Sequence, residues 1–279
     1  MLFRLIHLVA SICVLLSSSS VAKTNDDVTY MTPRIHGVLV NVVEVNLQSR
    51  RYYIRPVTAD ETRERKSRLD TFKAMIASTH ARAAINGTYF DCSTLRTLGT
   101  IVQNGRMVQD GYIGNAIGVD QDLQPHFLKV NHENGNHVDW GGYRFAICSG
   151  PTLVYRHHIA LNPWAEGFKD PHIYATAARS AIGLTDSHRL ILVTIHRSIT
   201  LSKLAAIMQQ LGADYALNLD GGSSSALYYG GHFITRPNRS LTNILTVCPV
   251  HASGTMMDYP SVISYRHKSR AVRPRVSKI

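Results

Sequence analysis

The chain has 279 residues, 44% hydrophobic and 18% charged, a globular composition with length enough for a sizeable core. This excludes collagen, coiled coil and intrinsic disorder, and only four cysteines exclude a disulfide-stapled mini-fold. The net charge of +11 gathers in residues 50–68 and in a tail where Arg266, Lys268, Arg270, Arg273, Arg275 and Lys278 meet no acid.

Residues 1–22 read as a secretory signal peptide. Arg4 gives a positive start, and Leu5 to Leu16 form an apolar stretch, short of the roughly 20 residues a membrane span needs. Ser20-Val21-Ala22 is a small-x-small cleavage site. Cleavage after Ala22 implies a secreted or periplasmic protein. Residues 23–34 read as a lead-in, 35–250 as one domain and 251–279 as a basic tail, suited to electrostatic contact with an anionic polymer or membrane surface. Nothing in the sequence matches a helix-turn-helix, RRM or zinc-finger spacing, so nucleic acid is not expected as a partner.

Residues 35–47 are Val-rich and alternate, predicting a strand, with a second at 52–57. Leu69, Phe72, Met75 and Ile76 share one face, predicting a helix over 67–79. Residues 83–86 form a short buried strand ending at Gly87. Asn104-Gly105 predicts a hairpin between strands at 99–103 and 106–109. Further strands fall at 116–120, 124–130 and 143–148, with polar loops at 131–142 and 156–173. Strands at 175–185 and 190–196 precede a helix capped by Thr200 and stopped by Gly212, with Leu201, Leu204, Ala205, Met208 and Leu211 at helical spacing. Strands at 215–220, 226–229, 232–235 and 241–247 follow. The fold class is α+β: a single domain of mixed, mostly antiparallel sheet with two main helices.

Three elements carry candidate chemistry. In the first, a buried strand ends in Asn218-Leu219-Asp220, followed by Gly221-Gly222-Ser223-Ser224-Ser225. Asn218 and Asp220 are two apart and share a face; the glycines permit a sharp turn, and consecutive N–H groups there form a nest for oxyanions. The second is Asn86-Gly87-Thr88-Tyr89-Phe90-Asp91, a strand ending in a polar turn. Asn86-Gly-Thr and Asn238-Arg-Ser also match the glycosylation sequon, a weak signal. The third is Arg179-Ser180-Ala181-Ile182-Gly183, an arginine in an apolar strand, which calls for an ion-pair partner or a bound anion.

In order and spacing these elements resemble the phosphodiester glycosidase family, whose pattern comprises an Asn-Gly-Gly-Phe-Phe turn, an Arg-Thr/Ser-Ala-Ile-Gly strand and a Thr-Leu helix leading to Asn-Leu-Asp-Gly-Gly-Gly-Ser-Ser. Thr88, Tyr89 and Ser223 depart from that pattern. The resemblance covers about residues 35–250. It implies an exported hydrolase cleaving a sugar-1-phosphodiester, of the N-acetylglucosamine-1-phosphate type, or a related glycosidic bond in a surface glycan. On this reading Asp220 is base or nucleophile, or stabilises an oxocarbenium-like transition state, and Arg179 pairs with the phosphate. Asn86, Gly87, Thr88, Tyr89, Ser180, Asn218 and Gly221, Gly222, Ser223 and Ser224 orient the substrate, and Glu44 and Asp91 are candidates for a second carboxylate. Neither a cofactor nor a metal is expected, although Asp220 beside serines could hold a divalent cation. The reading of a different class is a non-catalytic module binding surface polysaccharide or another anionic polymer.

Overall fold

The computed structural model describes residues 26–62, 68–132 and 138–250. The expected signal peptide and basic tail lie outside the described residues.

The Val-rich segment yields the strand Asn41–Asn46, which pairs with Val28–Met31 on one side and Arg189–Ile199 on the other. The sheet continues through Ala177–Leu184, Tyr215–Asn218, Thr152–Tyr155 and His158–Ile159, seven strands in all. Its central strands bury both faces, so Arg189–Ile199 begins as an almost unbroken apolar run. One face packs on the helix Leu201–Gln210 through Leu204, Ile207 and Met208. The other packs on two five-stranded sheets through a core that includes Val43, Ile85, Ile117, Phe145 and Leu192. One of these runs Pro125–Leu128, Asn115–Asp120, Tyr143–Ser149, Ile101–Gln103, Arg106–Gln109. The other runs His232–Thr235, Leu227–Tyr229, Ala83–Asn86, Asn243–Pro249, Tyr52–Thr58.

The expected α+β class with two main helices is therefore corrected. The described residues are mostly β, in four sheets, with three α-helices of 4, 6 and 10 residues. The Thr200 cap holds as read: its hydroxyl accepts from Lys203 N at 3.2 Å, and the helix runs to Gln210 before Gly212 turns left-handed at φ +80°. The helix expected over 67–79 shrinks to Phe72–Ala77 for a local reason. Asp70 is bridged to Leu241 by backbone bonds of 3.0 and 2.8 Å, so the chain is extended until Thr71 caps the first turn. Val28–Met31, inside the segment read as a lead-in, forms an edge strand of the large sheet.

One connection positions everything that follows. Tyr215–Asn218 belongs to the seven-stranded sheet and Leu227–Tyr229 to a five-stranded one. The chain between them, from Leu219 to Ala226, crosses from one sheet to the other. It passes the end of Ala83–Asn86, the strand against which Leu227–Tyr229 pairs.

Candidate active site

Asn86 clamps the crossing. Its Nδ2 donates to the Asp220 carbonyl at 2.6 Å, and its Oδ1 accepts from Ala226 N at 3.0 Å. Asp220 N in turn donates to the Gly87 carbonyl at 3.2 Å. Asn86 is 1% exposed, so the sequon at this position is not an accessible glycan acceptor. Gly87 is required by contact: a Cβ there would stand 1.8 Å from Asn243 Oδ1. Asn243 is itself fixed, accepting from Thr88 N at 2.8 Å and donating to Thr88 O at 3.1 Å.

Asp220 is about nine-tenths buried. Its Oδ1 accepts from Gly221 N at 2.9 Å and its Oδ2 from Arg239 Nη2 at 2.8 Å. Arg239 also donates through Nε to Ser224 Oγ at 2.6 Å and through Nη1 to Cys92 Sγ at 3.4 Å, and it lies over the Phe90 ring at 4.4 Å. Burial pushes the Asp220 carboxyl above its ordinary pKa, and the Ser224 hydroxyl, Arg239 and Gly221 N–H pull part of the way back. Gly222 takes φ +58°, whereas Ser223, standing where the family pattern has glycine, needs no left-handed backbone. Three of the turn's N–H groups are used within the turn. Those of Ser224 and Ser225 close on Gly221 O and Gly222 O, and that of Gly221 is spent on Asp220. The Ser223 carbonyl accepts from Asn238 N at 2.8 Å, tying the crossing to the turn that carries Arg239.

Asn218 donates through Nδ2 to Tyr89 Oη, which donates to Gly150 O at 2.8 Å. Burial raises the Tyr89 pKa first and the Asp220 charge adds to it, so this phenol stays neutral. Arg179 is 3% exposed, and its bonds go to the main chain: Nε to Ile199 O at 3.3 Å, Nη2 to Ile173 O at 3.2 Å and to Ala175 O. Desolvation lowers its pKa, and no carboxylate among the described residues bonds it. Arg179 lies beside the turn, since a Cβ on Gly221 would approach its Cδ to 3.9 Å.

The remaining expected residues are dispersed. Ser180 is one residue on from Arg179, hence on the opposite face of its strand. Asp91 accepts from Ser93 and Thr94, which hold its carboxyl down at about 2; its side chain turns into its own loop, although neighbouring Cys92 touches Arg239. Glu44 lies in the row of Ile191, Gly183 and Ala216, four residues short of Asp220 and three strands away. That is about 13 Å along the strands and about 14 Å across them. Its nearest cation is Arg189, at 3.6 Å. Glu44 therefore forms no pair with Asp220. Arg239 and Asn243 were not singled out from the sequence. Their only signal was a Pro-Asn-Arg-Ser turn ahead of a strand.

Among the described residues, buried polar atoms without a partner include Thr88 Oγ1, Asn218 Oδ1 and Ser225 Oγ at or beside the crossing, and Ser180 Oγ on the other face of its strand. Such groups are costly and mark strain or a ligand site. Among the described residues, metal-ligand composition occurs in His157, Asp186 and Asp214, at the opposite end of the Tyr215–Asn218 strand from Asp220.

A family model described as phosphodiester glycosidase matches residues 79–248, which hold Asn86, Arg179, Asp220 and Arg239. The chain belongs to the phosphodiester glycosidase family. Among the solved structures that share its fold are two proteins. One is a hypothetical protein from Synechocystis, with TM-score 0.66 and 21% identity, covering 80% of this chain and 62% of that one. The chain thus spans less than two thirds of that protein's length. The other is the catalytic domain of zebrafish N-acetylglucosamine-1-phosphodiester alpha-N-acetylglucosaminidase, auto-inhibited by its pro-peptide. Its TM-score is 0.63 at 18% identity, with coverage of 79% and 82%. Among curated proteins no sequence match is found.

Proposed function

We propose that the protein hydrolyses a sugar-1-phosphodiester of a surface glycan after export, with Asp220 and Arg239 as the reacting pair. The observation that carries this reading is the Arg239 guanidinium, which spans Asp220 Oδ2 and Ser224 Oγ at the sheet crossing. Ordinary glycoside cleavage uses two carboxylates, one of them donating a proton to the leaving oxygen. A phosphomonoester leaves as a stable anion, with a second pKa of about 6, and needs charge stabilisation instead. One carboxylate and one cation then suffice. Water attacks C1 of the sugar and gives its proton to Asp220. The C1–O bond breaks, and its electron pair leaves on the phosphate oxygen facing Arg239.

This assignment gives Arg239, rather than Arg179, the phosphate. Arg239 is partly exposed and its partners are side chains that a ligand can replace. Arg179 instead supports the site, tying the segment at Ile173 and Ala175 and the strand end at Ile199 to its own strand. Asn218 and Thr88 offer their unpartnered oxygens to the sugar. Export is supported by the leader-like residues 1–22, and the basic tail fits retention at an anionic surface.

The test is turnover of a synthetic α-N-acetylglucosamine-1-phospho-methyl diester, UDP-N-acetylglucosamine and a nitrophenyl glycoside, with Asp220→Asn as control. Cleavage of the phosphodiesters, lost in the variant, is the expected result. A second reading, a glycan-binding module, is favoured by one observation: among the described residues no carboxylate partners Asp220. No turnover together with glycan binding would establish that reading instead.

A further inference from the structure

The turn that carries Arg239 also walls a groove that the reaction above does not use. About 410 Å³ lies between this turn and the start of the Phe72–Ala77 helix, lined by Phe72, Lys73, Phe233, Arg236, Pro237 and Arg239 among others. Three of the lining residues are cations and none is a carboxylate. Lys73 and Arg236 are exposed, and neither has an ion-pair partner among the described residues. Arg236 is stacked over the Phe233 ring at 4.8 Å, which orders its guanidinium on the groove wall. Arg239 has its counter-charge in Asp220, but Lys73 and Arg236 line the same groove with none, and an anion between them relieves their repulsion.

The groove adjoins Asp220 at Arg239, which lines it and bonds the carboxylate. Arg236 and Arg239 are three residues apart, so their Cα atoms lie within about 11 Å of each other. We propose that this groove receives the leaving group and selects aglycones bearing a second phosphate, a short polyol away from the scissile phosphodiester. The proposal rests on the phosphodiester reading of Asp220 and Arg239 and names the substrate class of that same site. Cleavage at C1 releases the aglycone with both phosphates, one on Arg239 and the other on Arg236 and Lys73.

The decisive measurement is calorimetric titration of the purified full chain with propane-1,3-diyl bisphosphate and with methyl phosphate. The wild type is expected to prefer the bisphosphate by about five-fold or more, the scale of two partly screened charge pairs. Arg236→Gln combined with Lys73→Gln should bring the two probes within about two-fold. Both substitutions fall on exposed side chains, and both proteins carry the basic tail, so the difference reads the groove. Arg34→Gln, an exposed cation elsewhere, should leave the preference intact. Equal binding by the wild type, or an undiminished preference in the double variant, overturns the proposal. Turnover of matched diesters with and without a terminal phosphate separates it from the functional reading. If neither is cleaved while the preference stands, the hydrolase reading fails and the anion groove is upheld. If both are cleaved with equal kcat/KM, substrate selection by the groove is refuted and the hydrolase reading survives.

Discussion

Asn86→Ala tests whether the crossing is what holds Asp220 in place. The substitution leaves two buried backbone groups without partners, the Asp220 carbonyl and the Ala226 N–H, now bonded at 2.6 and 3.0 Å. Each orphaned group costs about 1–3 kcal/mol, so the loss centres on about 4 kcal/mol. That is a large share of a typical stability of about 5–15 kcal/mol. At about 2–4 °C per kcal/mol for a domain of this size, Tm should fall by about 8–16 °C. Equilibrium urea unfolding should show a lower midpoint at unchanged slope. Asn86→Asp divides the two roles. It keeps an acceptor for Ala226 N but sets a carboxylate against the Asp220 carbonyl, so at neutral pH it should lose at least as much. A loss below about 1 kcal/mol for Asn86→Ala would show that the crossing holds itself and would refute the clamp.

The two arginines should separate by readout. Arg179→Met abandons the carbonyls of Ile173, Ala175 and Ile199 in a buried site and should cost about 2–4 kcal/mol of stability. Arg239→Met, whose loss leaves Asp220 its Gly221 N–H and the option of taking up a proton, should cost less, about 1–2 kcal/mol, but lower phosphodiester turnover by about 10²–10³; the reverse pattern in denaturation and kinetics would return the phosphate to Arg179. Asp220 should leave a signature in the pH dependence of stability. Its folded pKa is raised, so the folded state holds the proton more readily than the unfolded one. Its contribution is therefore greatest below the ordinary value of about 3.9 and is lost as pH rises through the folded pKa. The stability difference between wild type and Asp220→Asn should accordingly fall from pH 4 to pH 7; a flat or rising difference contradicts the raised pKa.

Local signals carried far in this sequence. Thr200 and Gly212 mark a helix because capping and left-handed stops are settled within a few residues, and Asn218 and Asp220 were legible because strand alternation is equally local. The second helix was overestimated because its apolar spacing said nothing of Asp70, whose pairing with Leu241 comes from 171 positions away. Glu44 failed as a partner for the same reason: an acid in a strand shows no sign of which row it will occupy. Arg239 is the strongest case. Its contact with Asp220 depends on two sheets meeting at Asn86, and no pattern within residues 236–240 contains that fact.

The pairing of Arg239 with Asp220 also bears on how a buried carboxylate could become reactive on demand. The crevice lined by Asn86, Gly87, Thr88, Phe90 and Asp220 is too narrow for a sugar, and Arg239 caps the carboxylate beside it. On the proposed reading, an arriving phosphate competes for that guanidinium. As Arg239 turns toward the phosphate, Asp220 loses the cation that offsets its burial, and its proton affinity rises further. Base strength thus grows when substrate is seated and falls back when it leaves. The same exchange opens the way into the crevice, because the group that must move to admit the sugar is the group that the phosphate attracts. An arginine held by backbone carbonyls, as Arg179 is, could do neither, which is the physical reason for assigning the phosphate to Arg239.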